Sequence, residues 1–168
     1  MTTPIDGDSA CRILFDKSTL PNPGDAPGES FIQSWCAAAL QAQPLLDLSA
    51  AEAIEVSVKL VDAATIQVLN QRYRGKDSST NVLSFRSDMP LLPDGLMALG
   101  DLVLCPEVVH REASEQNKAI DDHWAHMLVH GTLHLCGYDH EELNQAEAME
   151  SMEIQILSGS GISDPYRV

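Results

Sequence analysis

No apolar run in the 168 residues approaches the roughly 18 that a membrane-spanning helix requires. The first ten residues, Met1 to Ala10, are polar and acidic and lack the basic-then-apolar pattern of a secretory leader. Cysteine is scarce: Cys11, Cys36, Cys105 and Cys136 are scattered and form no Cys-x-x-Cys pair. That spacing disfavours a disulfide framework and points to reduced thiols in a cytoplasmic protein. Basic residues are also few, ten against 25 acidic, for a net charge of −15. Phosphate contacts draw on Lys and Arg, so this balance argues against a generic nucleic-acid binder.

The few cations are unevenly placed. Arg72, Arg74 and Lys76 stand together, with Arg86 close behind, whereas Asp139 to Val168 holds seven acidic residues and one basic. The chain reads as an acidic body with one local basic patch. Its length and 44% apolar content suit one α/β domain spanning residues 1–168, with residues 1–10 as a loose tail. Strands are expected at Arg12–Asp16, Glu55–Val61, Asn81–Phe85 and Leu99–Cys105. Helices are expected over Ser30–Gln43, from Asp62 as cap to about Tyr73, from Pro106 to about Lys118, through the histidine-rich stretch, and over Glu141–Leu157. Phe31, Trp35, Ala38 and Leu45 are the buried candidates of the first helix, and Arg74 to Thr80 and Ser87 to Ala98 read as loops. The expected fold is therefore a mixed sheet of about four strands with about five surrounding helices.

The most informative stretch runs from His123 to His140. His123, His126, His130 and His134 lie in an apolar helical run, with Asp121 or Asp122 as its cap and the last three histidines on one face. Residues four apart on a helix differ by about 40° in azimuth and about 6 Å along the axis. Two neighbouring imidazoles can thus reach one ion, but His126 and His134, about 12 Å apart along the axis, cannot. Gly137 can adopt a left-handed conformation, end the helix and turn the chain back. His140 lies beyond that end, within reach of His130 and His134 rather than of His126 and His130. Three protein ligands leave a fourth tetrahedral position open, the pattern of a catalytic zinc site. His126 is left either as a group behind the ligands, as a substrate-side group or as a packed residue. Cys136 reads as core.

The zinc-protease helix His-Glu-x-x-His places its general base where this chain has Gly131. Peptide hydrolysis is thereby disfavoured. Glycine in mid-helix costs about 1 kcal/mol relative to alanine, so a close approach by substrate or by a neighbouring strand is expected there.

Taken with its surroundings, His126-Met-Leu-Val-His130-Gly-Thr-Leu-His134-Leu-Cys-Gly-Tyr-Asp-His140 resembles the metal motif of the YbeY family of bacterial endoribonucleases, the rRNA maturation factors. Tyr73-Arg74-Gly75-Lys76-Asp77 and Thr80-Asn81-Val82-Leu83-Ser84-Phe85 resemble a second motif of that family, and Gly100-Asp101-Leu102 and Asp164-Pro165-Tyr166 are similar to others. The resemblance covers most of the chain from Glu55 to Tyr166. It implies one zinc ion per chain on His130, His134 and His140, a site that nickel and other divalent transition metals can also fill. It implies a catalytic role for Arg74, and a single-stranded rRNA substrate on ribosomal particles. Arg72, Lys76 and Arg86 then become weak RNA contacts, and His126 and Asp139 candidates for support of the ligands or for a general base. The alternatives are a non-catalytic assembly factor that uses its metal structurally and binds ribosomal proteins or a GTPase, and, further off, a protease-like hydrolase. Ser78-Ser79 and Arg86-Ser87 depart from the family pattern, which often has proline near these places.

Overall fold

The computed structural model describes residues 11–167, so the expected tail at 1–10 lies outside the described residues. The chain runs β1 (Cys11–Asp16), α1 (Glu29–Ala42), β2 (Ala53–Leu60), α2 (Ala63–Arg74), β3 (Val82–Arg86), β4 (Leu96–Leu104), α3 (Pro106–Glu115), α4 (Ile120–Leu135) and α5 (Leu143–Ser158). The four strands form one sheet in the order β1-β2-β4-β3. β1 and β4 run parallel to β2, while β3 closes one edge antiparallel to β4. This is the mixed four-strand, five-helix α/β architecture that the pattern predicts.

Strand alternation sets the two faces. Ile54, Val56, Val58 and Leu60 of β2 point to one side and are buried, while Glu55, Ser57 and Lys59 point to the other. The first side packs with Leu102 and Leu104 of β4 against α1 and α4, around Ile32, Trp124 and Leu128. On the opposite side α2 covers only the β3–β4 end, where Ile66 meets Leu83 and Val103. A second apolar layer joins Ala39 of α1, Val129 and Leu133 of α4, and Met149 and Leu157 of α5. Helix α4 is thus wedged between the sheet and α5, and 11 of its 16 residues are buried.

Two glycines are fixed by close packing. Gly100 sits at φ +139° where the β2–β4 register slips by one residue, and a Cβ there would lie 2.1 Å from the Phe85 carbonyl oxygen. Gly131 answers the mid-helix question raised by the sequence. A Cβ at that position would meet Leu102 at 3.0 Å and Val82 at 3.2 Å, so a neighbouring sheet needs the space.

Several boundaries differ from expectation. Strand β4 starts at Leu96 rather than Leu99, because Met97 bridges to Leu91 and the Leu92 N–H reaches the Leu96 carbonyl. Leu96 and Met97 also pair with Ala53 and Ile54 of β2, a tertiary pairing for a segment that reads locally as loop. Asp62 caps α2 as expected, accepting the Thr65 N–H at 2.8 Å. In α4, however, Ala119 is the cap, and Asp121 and Asp122 lie in the first turn, where their charges still oppose the positive helix end. In α1 the fully buried residues are Ile32, Cys36, Ala39 and Leu40, whereas Leu45 is 58% exposed. Leu45 follows Pro44, outside the helix, so helical spacing no longer governs it. Helix α3 stops at Glu115, three residues short of the expected Lys118, and α5 begins at Leu143.

Candidate metal centre

Helix α4 ends in a turn that does what Gly137 suggests. The Gly137 N–H reaches the His134 carbonyl at 3.0 Å and the Tyr138 N–H reaches that of Leu133 at 3.1 Å, with Gly137 at φ +105°. This double bond reverses the chain and brings His140 back over the helix end. One ligating atom from each of His130, His134 and His140 then lies within 4.8 Å of the others. The ring centroids of His140 stand 5.9 Å from His130 and 5.0 Å from His134. His140 is exposed, so the group opens to solvent on that side.

Hydrogen bonds behind the rings fix which nitrogen faces inward. His134 Nδ1 lies 2.9 Å from the Tyr138 carbonyl. A carbonyl only accepts, so Nδ1 carries the proton and Nε2 a lone pair. His130 Nδ1 donates in the same way to the Glu153 carboxylate. The two Nε2 atoms face each other at 3.1 Å. At that distance the pair is held by a proton on one Nε2 or by a cation between the two. Metal–nitrogen bonds of about 2.0–2.1 Å in a tetrahedral site would set such atoms about 3.3 Å apart. The donor set therefore fits a divalent transition metal. Burial first, and then the neighbouring His130, pull the His134 pKa down to about 4, which keeps its nitrogen lone pair available at neutral pH.

Glu153 was not legible as a site residue. It is fully buried on α5. Burial would raise its pKa, but the neighbouring imidazoles of His126 and His130, together with the hydrogen bond from the Tyr166 hydroxyl, outweigh that and hold it well below the usual carboxylate range. One signal was available: Glu153 shares the helical spacing of Met149, Ile156 and Leu157, so an acid occupies a core position in a helix otherwise acidic on its outside. His126 is buried as well, and its Nε2 lies 3.7 Å from Glu153 and 3.3 Å from the Tyr166 hydroxyl. It packs between His130 and the Glu153–Tyr166 pair. Asp139 accepts the backbone N–H of His140 at 2.7 Å and so shapes the ligand loop.

The basic residues divide into two groups. Arg74 is the last residue of α2 rather than the first of a loop, because Gly75 takes the left-handed cap at φ +70° one position later. Its guanidinium donates to the Ser84 carbonyl at 2.7 Å and lies over the Phe85 ring at 5.4 Å. The Ser84 hydroxyl in turn donates to the Gly131 carbonyl of α4, one residue from His130. Arg86 reaches the ligand loop, its guanidinium 3.3 Å from where a Gly137 Cβ would be. Arg72, by contrast, lies over its neighbour Tyr73, and Lys76 is exposed just past the helix end. The Ser78-Ser79 departure is accommodated by α2, since Asn70 donates to the Ser78 carbonyl at 2.9 Å.

Known proteins resemble this chain over most of its length. Residues 26–161 match the family model described as endoribonuclease YbeY. A protein of that name from Alkalilimnicola ehrlichii is 50% identical over 143 residues, 84% of this chain and 83% of that protein. Its namesake from Stenotrophomonas maltophilia is 49% identical over 150 residues, 88% of each chain. A solution structure from Thermotoga maritima aligns over 94% of this chain and 99% of its own, at 24% identity and a TM-score of 0.47, a likeness too loose to carry an argument. With most of its length matched by the family model and by relatives near half identical, the chain belongs to the YbeY family of endoribonucleases.

Proposed function

We propose that this chain is a metal-dependent endoribonuclease that cuts single-stranded rRNA during ribosome maturation in the cytoplasm. The observation that supports it most is the convergence of ligating atoms from His130, His134 and His140, with Arg86 at the same loop and Arg74 on the nearby Ser84 carbonyl. In this reading one zinc ion per chain is held by His130, His134 and His140. When bound, it supplies Lewis-acid assistance for attack at phosphorus.

The protein's own groups do the rest. Arg74 is anchored through Nη2 on the Ser84 carbonyl and Nη1 on the Tyr73 carbonyl, and its other N–H groups serve the phosphate, where negative charge grows as the bond breaks. A planar fork meets two phosphate oxygens at once, which a lysine cannot do. Arg86, at the ligand loop, and Arg72 and Lys76, farther along the edge, contact the RNA backbone on either side. With so few cations on an acidic molecule, the isolated protein binds RNA weakly and engages it better on a ribosomal particle, through ribosomal proteins or an assembly GTPase.

The test is cleavage of ribosomal RNA by zinc-loaded protein, set against a His130→Ala, His134→Ala double variant. Wild-type cleavage with none from the double variant is expected. Equal cleavage by both would sink the reading. Metal binding with no cleavage by either would favour a structural metal in an assembly factor. RNA affinity is further expected to fall with salt along a shallow slope, reflecting only a few phosphates.

A further inference from the structure

We infer that the C-terminal turn Asp164–Tyr166 is part of the metal centre, and that Glu153 is the positioning residue through which it acts on His130. The inference rests on the metal reading above and names what sets its affinity.

A carboxylate with no solvent exposure is costly unless both oxygens are met. In Glu153 they are met from two directions. One oxygen accepts Nδ1–H of His130, and the other accepts the hydroxyl of Tyr166. His126 lies edge-on to the Tyr166 ring, with centroids 5.4 Å apart. Its Nε2, 3.3 Å from the hydroxyl oxygen, completes a chain that runs from His126 to Tyr166 to Glu153 to His130. The turn that carries Tyr166 is itself pinned. Its Tyr166 N–H is held by Asp164 at 2.8 Å, and Lys118 donates to the Pro165 carbonyl at 3.2 Å.

A carboxylate on the far nitrogen of a ligand imidazole fixes its tautomer and ring rotation and raises the basicity of the near nitrogen. Tyr166 acts one step further back, by holding the carboxylate where it can do so. Residues 164–166, although more than 20 positions beyond the last histidine, thereby set the aim of His130 Nε2. A second ion among His126, His130 and Glu153, whose ligating atoms also lie within 4.8 Å, is the competing arrangement. It would require His130 Nδ1 to lose the proton it donates to Glu153 and would compete with the Tyr166 hydroxyl for the carboxylate.

The experiment uses the full chain, stripped of metal and titrated with cobalt(II) against a chromophoric chelator. Glu153→Gln is expected to weaken cobalt binding by about 10- to 100-fold. Tyr166→Phe is expected to weaken it several-fold, and the double variant no more than Glu153→Gln, because both act through one carboxylate. The visible cobalt band should shift in both variants while far-ultraviolet circular dichroism stays that of the wild type. Should Glu153→Gln fail to fold, Tyr166→Phe decides, since it removes one hydroxyl from a residue that is 42% exposed. Unchanged affinity in Tyr166→Phe, or full additivity in the double variant, overturns the inference. So do two cobalt ions per wild-type chain, which would make Glu153 a ligand. Wild-type protein that binds no cobalt would sink the metal reading along with it, whereas one tightly bound ion with unaffected variants would sink this inference alone.

Discussion

The two halves of the site are built differently. The histidine half is rigid: α4 is buried on most of its surface, its ligand nitrogens are aimed by hydrogen bonds to Tyr138 and Glu153, and Gly131 leaves no spare volume against β3 and β4. The arginine half is loose: Arg72, Arg74, Lys76 and Arg86 are exposed, and only Arg74 has its guanidinium tied down by hydrogen bonds. The difference separates two tasks. Ligands that must meet one ion gain from being held before it arrives, while groups that receive a flexible polymer gain from reach. It follows that changes on the rigid side cost stability or metal together with chemistry, and changes on the loose side cost chemistry alone.

Removing a ligand should show the largest effect. His134→Ala is expected to lose both stoichiometric metal and cleavage, and His140→Ala to lower metal content as well; wild-type metal in His140→Ala by elemental analysis would remove that residue from the set. On the loose side, Arg74→Ala is expected to cut RNA cleavage by roughly 10²-fold, the scale of losing one electrostatic donor, with unchanged metal content. Arg74→Lys should recover part of the rate. If cleavage persists while binding weakens, Arg74 only positions the RNA, and the division of tasks shifts accordingly.

Gly131→Ala brings a methyl group to 3.0 Å from Leu102, a fully buried side chain. Overpacking outweighs the gain in helix propensity, and a net loss of about 1 kcal/mol is expected from thermal unfolding. A gain in stability would mean that the rigid half has slack. A further effect is expected in acid. Burial lowers the His134 pKa to about 4 in the folded chain, from an ordinary 6.5. In metal-free protein its contribution is complete above pH 6.5 and is lost as pH falls toward 4, because the unfolded chain takes up the proton first. Chemical denaturation across that range should show the decline, and zinc should delay it.

Much of this was readable in the chain, for identifiable reasons. Helical spacing put His130 and His134 on one face, and Gly137 announced the turn that returns His140, because both are local properties of a few consecutive residues. The strand alternation of β2 was equally local. What escaped depended on distant partners. Glu153 looks like one more acid on an acidic helix until α5 is laid against α4. The start of β4 depends on Leu96 and Met97 pairing with Ala53 and Ile54 of β2. Arg74 was expected on a loop because Gly75 ends the helix one residue later than the polar sequence suggests.

The placement of Arg74 also bears on how the molecule behaves in a crowd. Strand β3 is one of the two edges of the sheet, and its Val82 N–H and Ser84 carbonyl point away from β4. Exposed edges invite strand addition from other chains and, through it, aggregation. Here the Val82 N–H is met by the Asn81 side chain at 2.6 Å and the Ser84 carbonyl by Arg74 at 2.7 Å. An incoming strand would have to displace both, one of them a fixed charge. The guanidinium assigned to RNA thus also blunts a sticky border and helps keep neighbouring copies of the chain apart.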